Sequence, residues 1–437
     1  MISRVQRVTS PLVAAAILLT LTCLASRTEA QEKRSVTIYE ESQVPPYTLP
    51  DPLICADGSE VADAQTWWDK RRPEILKLCE DEWFGKTTLG RPKKMKFVVR
   101  DEKHGARGGI ATRLRIGVLF DGSEAGPQME ILVYLPEHTT GQVPVILLMN
   151  FQGNYATTPE ADIPLPTHWV GGYGNADPSN HAQEKLRGSV AYAFQYDYAL
   201  QHGYGVATIG YGEVEPDFNG GDKIGVRGKL PSAATGGDRM GAIGTWAWGL
   251  SRAVDYLQTN KRIDPKRIGV QGHSRLGKAA LWAAAQDQRF AFVISNESGA
   301  GGAALNKRIF GETVAVLNHN FPHWFCPNFN KYSDNEAAMS VDSHELIALI
   351  APRPVLITSA VEDRWSDPYG EFLAGVGADP VYRLLCGDGI PDKTYPAPSH
   401  VLNGRIGYYV RPGKHDVLLE DWQNYVSFAD RYMKVAR

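Results

Sequence analysis

Continuous apolar runs recur along the chain after residue 140. They lie at 143–151, 203–211, 267–272, 290–297, 352–360 and 405–411. Uninterrupted apolar runs are typical of strands buried on both faces of a parallel sheet. Segments 243–260 and 275–288 have apolar residues at helical spacing and separate several of these runs. This alternation predicts an α/β fold with a mainly parallel sheet.

The pattern before residue 140 is different. Two strand-like runs, 111–120 and 128–136, flank the turn-like "DGSEAGP" and predict a hairpin of antiparallel edge strands. Residues 63–85 have apolar positions at helical spacing and predict the first helix. Residues 31–60 are rich in Pro, Ser and Asp and show no period. We interpret them as an extended arm that wraps the domain.

The N-terminus has the pattern of a secretory signal. Arg4 and Arg7 precede an apolar run at 12–25, and a small-x-small pattern ends at Ala30. This predicts cleavage after Ala30 and a secreted or periplasmic protein. An uncleaved anchor, or a lipoprotein linked through Cys23, is the alternative. The predicted division is a signal peptide at 1–30, the arm at 31–60 and one catalytic domain at 61–437.

Composition narrows the function classes. The 437 residues are 43% hydrophobic and 22% charged, as in a globular protein with a sizeable core. The formal charge of -3 gives no reason to expect nucleic acid as a partner. Four cysteines follow the predicted signal: Cys55, Cys79, Cys326 and Cys386. We expect buried thiols or one structural disulfide, since their spacing does not resemble a zinc site.

The stretch "GVQGHSRLGKAALW", residues 269–282, carries the main chemical signal. Ser274 follows a predicted buried strand and opens a predicted helix, which is where an α/β-hydrolase exposes its nucleophile. Gly272 stands two positions before the serine, as the tight turn requires. The usual glycine two positions after it is absent, because Leu276 stands there and Gly277 comes one later. A serine that merely caps the helix is the alternative.

A serine nucleophile needs a base and an orienting acid, which this fold supplies in the order Ser, acid, His. The histidines after Ser274 are His319, His323, His344, His400 and His415. His415 fits the base, because it follows the last strand and a Pro/Gly loop and precedes a helix. Glu297 and Asp363 each end a strand, and the sequence does not decide between them. A surface histidine is the alternative for His415, and a solvated strand-end carboxylate is the alternative for either acid. His344 precedes the helical "ELIALI" and is interpreted as a packed or capping residue, whereas His319 and His323 lie in an aromatic segment and suit a pocket lining.

Two features near the predicted elbow suit an oxyanion. The loop "NFQGNY", 150–155, follows the first parallel strand, where many hydrolases place a backbone N–H donor. Arg275 brings a fixed positive charge next to Ser274, which suits a developing oxyanion or a substrate carbonyl. An arginine on the helix surface is the alternative for Arg275.

The segment "GHSRLGKAALWAAAQDQRFAFVISNESG" resembles the Gly-x-Ser-Arg-x-Gly elbow of the glucuronoyl esterases, carbohydrate esterase family 15. In that family the glycine falls three positions after the serine. Two later segments, "ELIALIAPRPVLITSAVEDRWSDPYGE" and "GKHDVLLEDW", are also similar to the family, and the resemblance spans roughly residues 140–425. It implies an α/β-hydrolase fold: a mainly parallel α/β/α sandwich with antiparallel strands at the N-terminal side.

The resemblance also implies roles for the residues at the elbow. Ser274 matches the nucleophile, Arg275 the oxyanion helper and His415 the base. Glu297 matches the acid of fungal members, and Asp363 matches an alternative acid position of bacterial members. This chain has both acids, so the role is divided or belongs to one of them.

Lys278 matches a lysine that binds sugar hydroxyls, and Glu312 and Trp365 resemble sugar-contacting residues of bacterial members. The implied reaction is hydrolysis of the ester between 4-O-methyl-glucuronic acid on xylan and a lignin alcohol, through an acyl-enzyme. The resemblance implies a monomer that needs no metal or cofactor and, after signal cleavage, no membrane.

Two alternatives stay open. One is an exported esterase for acetyl groups on xylan or another sugar ester, against which Lys278 and Glu312 argue. The other is a carbohydrate-binding protein on an inactive hydrolase scaffold. The presence of Ser274, His415 and two candidate acids argues against it.

Overall fold

A nine-stranded sheet forms the centre of the protein. The computed structural model describes residues 37–171, 179–230 and 236–433, so the predicted signal peptide lies outside the described residues. The strands are β1 (Lys96–Gly105), β2 (Ala111–Leu119), β3 (Gln128–Pro136), β4 (Val143–Asn150), β5 (Gly205–Gly210), β6 (Ile263–His273), β7 (Val293–Asn296), β8 (Val355–Ala360) and β9 (Ile406–Arg411). Their order across the sheet is β1-β2-β3-β5-β4-β6-β7-β8-β9.

The helices lie between and after these strands. They are α1 (Ala64–Thr66), α2 (Arg72–Cys79), α3 (Ala106–Gly109), α4 (Tyr196–Gln201), α5 (Tyr211–Val214), α6 (Val226–Lys229), α7 (Ala242–Leu257), α8 (Arg275–Gln286), α9 (Val314–Asn320), α10 (Ser343–Ala348), α11 (Pro368–Cys386) and α12 (Leu419–Met433). Strand β2 pairs antiparallel with β1 on one side and with β3 on the other, and β3 also pairs antiparallel with β5. The pairs from β5 through β9 are parallel.

Both faces of the sheet are buried, and β4 shows how. Val145 and Leu147 belong to the core that includes residues of α7 and α8, whereas Ile146 and Leu148 belong to the core with residues of α4 and α12. Successive side chains of a strand point to opposite faces, so a strand between two helical layers is apolar at every position. The result is a three-layer α/β/α sandwich, and its carboxyl strand ends lie at one edge.

The predicted α/β-hydrolase fold is confirmed. All six apolar runs form the parallel strands β4 to β9, and the predicted hairpin is β2 and β3. The sequence analysis missed β1, because the strand "KFVVRDEKHG" lies at the edge of the sheet and most of its positions are exposed or half-buried. A solvated edge strand lacks the apolar run by which the others are recognised.

The first helical segment runs over residues 64–84, close to the predicted 63–85. It contains α1 and α2, each followed by a π-helical turn, at Trp67–Arg71 and Glu80–Phe84. Residues 37–60 of the predicted arm run irregularly apart from a short 3₁₀ turn, Glu41–Gln43. The carbonyl oxygen of Ile38 accepts a hydrogen bond from the Gly311 N–H at 2.9 Å, which ties this segment to the loop near Glu312.

The four cysteines of the described chain are free thiols, so the disulfide alternative is not realised. Cys55, Cys79 and Cys326 are buried, as expected, whereas Cys386 is exposed. Within residues 37–171, 179–230 and 236–433, none of the helices combines the length and apolar character that crossing a membrane requires.

The central strands predict where stability is most sensitive. Leu147 on β4 is 0% exposed, so Leu147→Ala removes buried methyl groups and is expected to lower the free energy of unfolding by about 2–5 kcal/mol. Val99→Ala on β1 is the control, since Val99 is 59% exposed. Urea unfolding followed by tryptophan fluorescence measures both. Equal losses in the two variants would contradict the placement of β4 at the centre.

Candidate active site

The elbow between β6 and α8 places Ser274 in an unusual backbone conformation. Its φ of 57° and ψ of -132° lie where residues other than glycine are rarely found. Its backbone N–H donates to the carbonyl oxygen of Asn296, at the end of β7, at 2.9 Å. The Ser274 side chain makes no capping hydrogen bond to α8, so the alternative of a helix-cap serine is not supported.

Two glycines permit this turn. A Cβ at Gly272 would lie 2.0 Å from the carbonyl oxygen of Leu276, and one at Gly277 would lie 2.9 Å from the Ser298 Cβ. Both approaches are too close for any side chain. Gly277 therefore has to be a glycine because α8 packs against the loop after β7, and this accounts for its spacing of three positions from Ser274.

His415 follows β9 and lies against the elbow. Its ring centroid is 4.4 Å from that of His273, the residue directly before Ser274. The His415 Nδ1 atom lies 2.6 Å from Asp363 Oδ2 and 3.0 Å from Glu297 Oε2. Both candidate acids therefore contact the same nitrogen atom, and Nε2 takes no part in these two contacts. About 37% of the His415 side chain is exposed, whereas both acids are buried.

Arg411, the last residue of β9, ties the acid and the histidine loop together. Its Nη2 lies 2.7 Å from Glu297 Oε1, 2.6 Å from the carbonyl oxygen of Lys414 and 2.7 Å from that of Asp416. The Asp416 N–H in turn donates to Glu297 Oε2 at 2.9 Å. The two residues that flank His415 are thus both held by a buried guanidinium, which fixes the backbone on either side of the ring.

The protonation states follow from these contacts. Burial lowers the pKa of His415, but the hydrogen bonds to Asp363 and Glu297 outweigh it and raise that pKa to about 10. Burial raises the pKa of Glu297 to about 7, although His415 and Arg411 act in the opposite direction. Burial also raises the pKa of Asp363, but its hydrogen bond to His415 brings it below the usual value. Asp363 is therefore the acid that stays ionised over the wider pH range.

His273 is a neutral neighbour of this pair. Burial lowers its pKa to about 3. Its Nδ1 lies 2.6 Å from Asn296 Oδ1, while the Asn296 amide group donates to Thr358. The ligand atoms of His273, Glu297 and His415 lie within 4.8 Å of one another, a spacing that would admit a metal ion. All three side chains are instead engaged in hydrogen bonds with protein groups.

Arg275, the first residue of α8, points to a buried carboxylate that the sequence analysis missed. Its Nη1 lies 2.5 Å from Asp217 Oδ2. The guanidinium carbon lies 4.9 Å from the ring centroid of Trp324 and 5.4 Å from that of Phe151. Asp217 lies in a loop without apolar period, so only its place after β5 could have drawn attention to it.

The predicted sugar-contacting residues also come together. The Lys278 Nζ donates to Glu312 Oε2 at 2.6 Å and to the carbonyl oxygens of Ser298 and Ala300 at 2.7 and 2.6 Å. An ammonium group has three protons, so these acceptors use all of them. The Glu312 N–H donates to the carbonyl oxygen of Trp365, and the Trp365 side chain is 38% exposed.

The loop after β4 is held by hydrogen bonds to the Asn150 side chain at the end of that strand. The Gly153 N–H donates to Asn150 Oδ1 at 2.6 Å, so this N–H is not available to an oxyanion. The long segment that follows this loop, up to residue 200, includes residues 172–178, which lie outside the described residues. Within its described part, the Tyr192 hydroxyl lies 3.1 Å from Asp416 Oδ1, beside the histidine loop.

The other histidines have separate environments. His319 and His400 are exposed, while His344 lies inside α10 and contacts the carbonyl oxygen of Pro50 at 2.8 Å. His344 therefore does not precede its helix, because Asp342 is the capping residue. His323 contacts Asp217 at 2.7 Å and so belongs to the surroundings of Arg275.

The carboxyl group of Glu371, on α11, accepts hydrogen bonds from the loop after β7. Its Oε1 accepts from the N–H groups of Ser298 and Gly299 at 2.7 and 3.1 Å, and its Oε2 lies 2.5 Å from Ser359 Oγ. Burial raises the pKa of Glu371 to about 8, although these hydrogen bonds lower it. The same loop carries the carbonyl oxygens of Ser298 and Ala300, which accept from Lys278. Glu371 therefore stabilises the loop that binds Lys278.

Comparisons with known proteins agree with this geometry. The family model described as "Glucuronyl esterase, fungi" matches residues 190–386. Carbohydrate esterase MZ0003, from an unknown prokaryotic organism, is 46% identical over 399 residues, which cover 90% of this chain and 92% of that protein.

Solved structures are equally similar. A promiscuous CE15 esterase from a marine bacterial metagenome has a TM-score of 0.85 at 46% identity, covering 91% of this chain and 100% of that one. A glucuronoyl esterase from Solibacter usitatus has a TM-score of 0.84 at 44% identity, covering 89% of this chain and 99% of that one.

Glu371 predicts a pH dependence of stability. Because its pKa is raised to about 8 from the usual 4.5, the folded state binds a proton that the unfolded state loses between these values. The free energy of unfolding should therefore fall as pH rises from 4.5 to 8. Glu371→Gln keeps an acceptor for the two N–H groups but carries no titratable proton, so it should flatten this fall. Chemical unfolding at pH 5 and pH 8 measures the difference.

Glu60→Gln is the control, since Glu60 is exposed and its replacement should leave the pH dependence of wild type unchanged. A Glu371→Gln variant whose stability still falls as steeply as that of wild type would show that Glu371 is not the group responsible.

Proposed function

Since the chain belongs to the glucuronoyl esterases, carbohydrate esterase family 15, we propose that it is a serine esterase for glucuronoyl esters. The substrate is the ester between 4-O-methyl-glucuronic acid on xylan and a lignin alcohol. The observation that carries this proposal is that His415, held by two buried carboxylates, lies against the strained elbow that carries Ser274.

In the first half of the reaction, Ser274 is the nucleophile. Because its pKa is raised to about 10, His415 acts as the base in its neutral form, which takes the proton from the Ser274 hydroxyl through Nε2 while Nδ1 keeps its hydrogen bond to Asp363. The serine oxygen attacks the uronoyl carbonyl carbon and forms a tetrahedral intermediate with a negatively charged oxygen. Arg275 stabilises this oxygen, because a guanidinium offers positive charge and N–H donors.

The intermediate then collapses. The bond to the alcohol oxygen breaks, His415 gives its proton to that oxygen, and the alcohol leaves an acyl-enzyme on Ser274. Water attacks the acyl carbon in the second half, again with His415 as base. Uronic acid and the free serine are the products, so the proton count balances over the two steps.

The sugar side of the substrate is assigned to Lys278, Glu312 and Trp365. Trp365 presents an exposed ring for the sugar face. The Glu312 carboxylate is held by Lys278, so it is fixed in place to accept a hydrogen bond from a sugar hydroxyl. We also assign Lys278 to this site. Its three protons already have protein acceptors, so it acts by holding Glu312 and the loop, or by sharing a proton with a hydroxyl.

The setting of the reaction is also a proposal. A polymeric substrate of plant cell walls lies outside cells, which fits the predicted signal peptide at residues 1–30 and a secreted or periplasmic protein. We propose that the mature protein acts as a monomer.

The activity predicts a simple comparison. Purified mature protein is expected to hydrolyse benzyl glucuronate, and Ser274→Ala should lower kcat by at least about 1,000-fold, because no nucleophile is left. Thermal unfolding of the variant checks that its fold is retained. Acetylated xylan serves as the second substrate, since one similar structure is described as that of a promiscuous esterase.

Three outcomes are informative. Cleavage of the uronate ester that is lost in Ser274→Ala supports the proposal. Cleavage of acetate esters alone would keep the nucleophile but reject the substrate class. Wild-type protein that cleaves neither ester, and does not react with a serine-directed phosphonate, would favour a carbohydrate-binding role.

The two acids predict a change in the pH profile. Asp363→Asn removes the shorter of the two contacts to His415 and a negative charge that raises the pKa of His415. The acidic limb of kcat/KM should therefore move to lower pH, because a neutral imidazole is then available there. We expect kcat to fall by about 10- to 100-fold, since Glu297 still contacts Nδ1.

Glu362→Gln is the matched control, since Glu362 adjoins Asp363 in the chain but is exposed. Its pH profile should match that of wild type. Glu297→Gln tests the second acid. If it displaces the acidic limb and lowers kcat more than Asp363→Asn does, then Glu297 is the main acid and the assignment is reversed.

A further inference from the structure

Asp217 is a carboxylate that is almost completely buried and lies next to the proposed oxyanion helper. It is 3% exposed and sits in the loop between α5 and α6. Its Oδ2 lies 2.5 Å from Arg275 Nη1 and 3.1 Å from the Tyr211 hydroxyl. A buried carboxylate is costly unless all its lone pairs are satisfied, so the contacts around it need a reason.

The second carboxylate oxygen is equally well held. Asp217 Oδ1 lies 2.7 Å from His323 Nε2 and 2.7 Å from Trp324 Nε1. An ionised carboxylate only accepts, so His323 must carry its proton on Nε2. Burial raises the pKa of Asp217, but the hydrogen bond from His323 and the charge of Arg275 lower it to about 2. Asp217 is therefore ionised at every working pH, and it cannot rotate without losing donors.

The faces of the Arg275 guanidinium lie among aromatic rings. The guanidinium carbon is 4.9 Å from the ring centroid of Trp324, 5.4 Å from Phe151 and 5.7 Å from Phe321. Trp324 and Phe321 are themselves stacked, with centroids 3.8 Å apart and planes 5° from parallel. The rings restrain the guanidinium against tilting but leave it free to turn within its own plane. Asp217 supplies the contact that stops this turning.

One edge of the guanidinium is left for another acceptor. The Arg275 Nε atom is buried and has no hydrogen-bond partner among the residues that the structure describes. Nε is closed to solvent, whereas about 30% of the Arg275 side chain is exposed, so a substrate oxygen is expected to meet the Nη atoms rather than Nε. With Nη1 on Asp217, the orientation of the remaining N–H groups is set before the substrate arrives.

We propose that Asp217 is a positioning residue for the esterase reaction: it fixes the Arg275 guanidinium in the orientation that meets the oxyanion. This inference rests on the proposed function, in which Arg275 stabilises the negatively charged oxygen. Asp217 acts through Arg275 and touches no substrate atom itself. Trp324 has two parts in the arrangement, because its indole N–H holds Asp217 and its ring packs on Arg275.

The proposal predicts that a substitution of Asp217 lowers kcat much more than it changes KM. The negative charge develops on the carbonyl oxygen only as the serine attacks, so a misplaced guanidinium weakens the transition state more than the bound ester. Asp217→Asn keeps the shape of the side chain but removes its charge, and its amide nitrogen cannot accept from Arg275. We expect kcat on benzyl glucuronate to fall by about 10- to 100-fold, with KM changed by less than about threefold.

A double-mutant cycle tests whether Asp217 acts through Arg275. Arg275→Met should lower kcat by about 100- to 1,000-fold. In that background, Asp217→Asn should cost less than about threefold more, because there is no guanidinium left to orient. Asp222→Asn, in the same loop, is the control and should behave as wild type.

The outcomes decide between this proposal and its rivals. Equal fold-losses from Asp217→Asn with and without Arg275 would overturn it, as would a variant that loses thermal stability but keeps kcat. A rise in KM alone would also overturn it. If wild-type protein fails to hydrolyse the ester, the proposed function fails instead, and the two failures are thereby distinguished.

A second variant covers the case in which Asp217→Asn does not fold. Trp324→Phe keeps an aromatic ring beside Arg275 but removes the N–H that holds Asp217 Oδ1. It should lower kcat by about three- to tenfold, and this loss should also vanish in the Arg275→Met background. A Trp324→Phe variant with unchanged kcat, or with the same loss in both backgrounds, would contradict the proposal.

Discussion

The site depends on one buried cation, the guanidinium of Arg411. A charge in the protein interior is stable only when other charges and dipoles surround it, and Arg411 collects such groups from several elements. It contacts Glu297 after β7, Asp421 of α12 and the backbone on both sides of His415. Arg411 thus sets the distance between the end of β7, which carries Glu297, and the loop after β9, which carries His415. This distance in turn fixes the position of the His415 ring relative to its acid.

The sequence predicts the parallel sheet well, because an apolar run marks each of its strands. Every strand from β4 to β9 contains an apolar run, and the order of Ser274, the acids and His415 follows the order of the strands. The supporting polar residues are harder to find. Arg411 is visible only as a charge at the end of an apolar strand, and Asp217 and Glu371 are single polar residues without a spacing rule. Their roles depend on contacts between distant segments, which local patterns do not contain.

Trp324 joins the two halves of the site. The Arg275 guanidinium carbon lies 4.9 Å from its ring centroid and the Lys278 Nζ lies 5.8 Å from it. One cation faces the proposed oxyanion, and the other holds Glu312 on the proposed sugar side. The two cations lie three residues apart on α8, so this helix sets their spacing, and a substrate that meets both sides of the site has its sugar and its carbonyl group in a fixed relation.

The double contact at His415 Nδ1 has a consequence for how such a site changes over generations. Asp363 and Glu297 come from the ends of different strands, yet each reaches the same nitrogen. A lineage that loses one carboxylate keeps an imidazole that is still oriented by the other. Either strand end can thus supply the acid, and the two carboxylates make the orientation of the base tolerant to the loss of one of them.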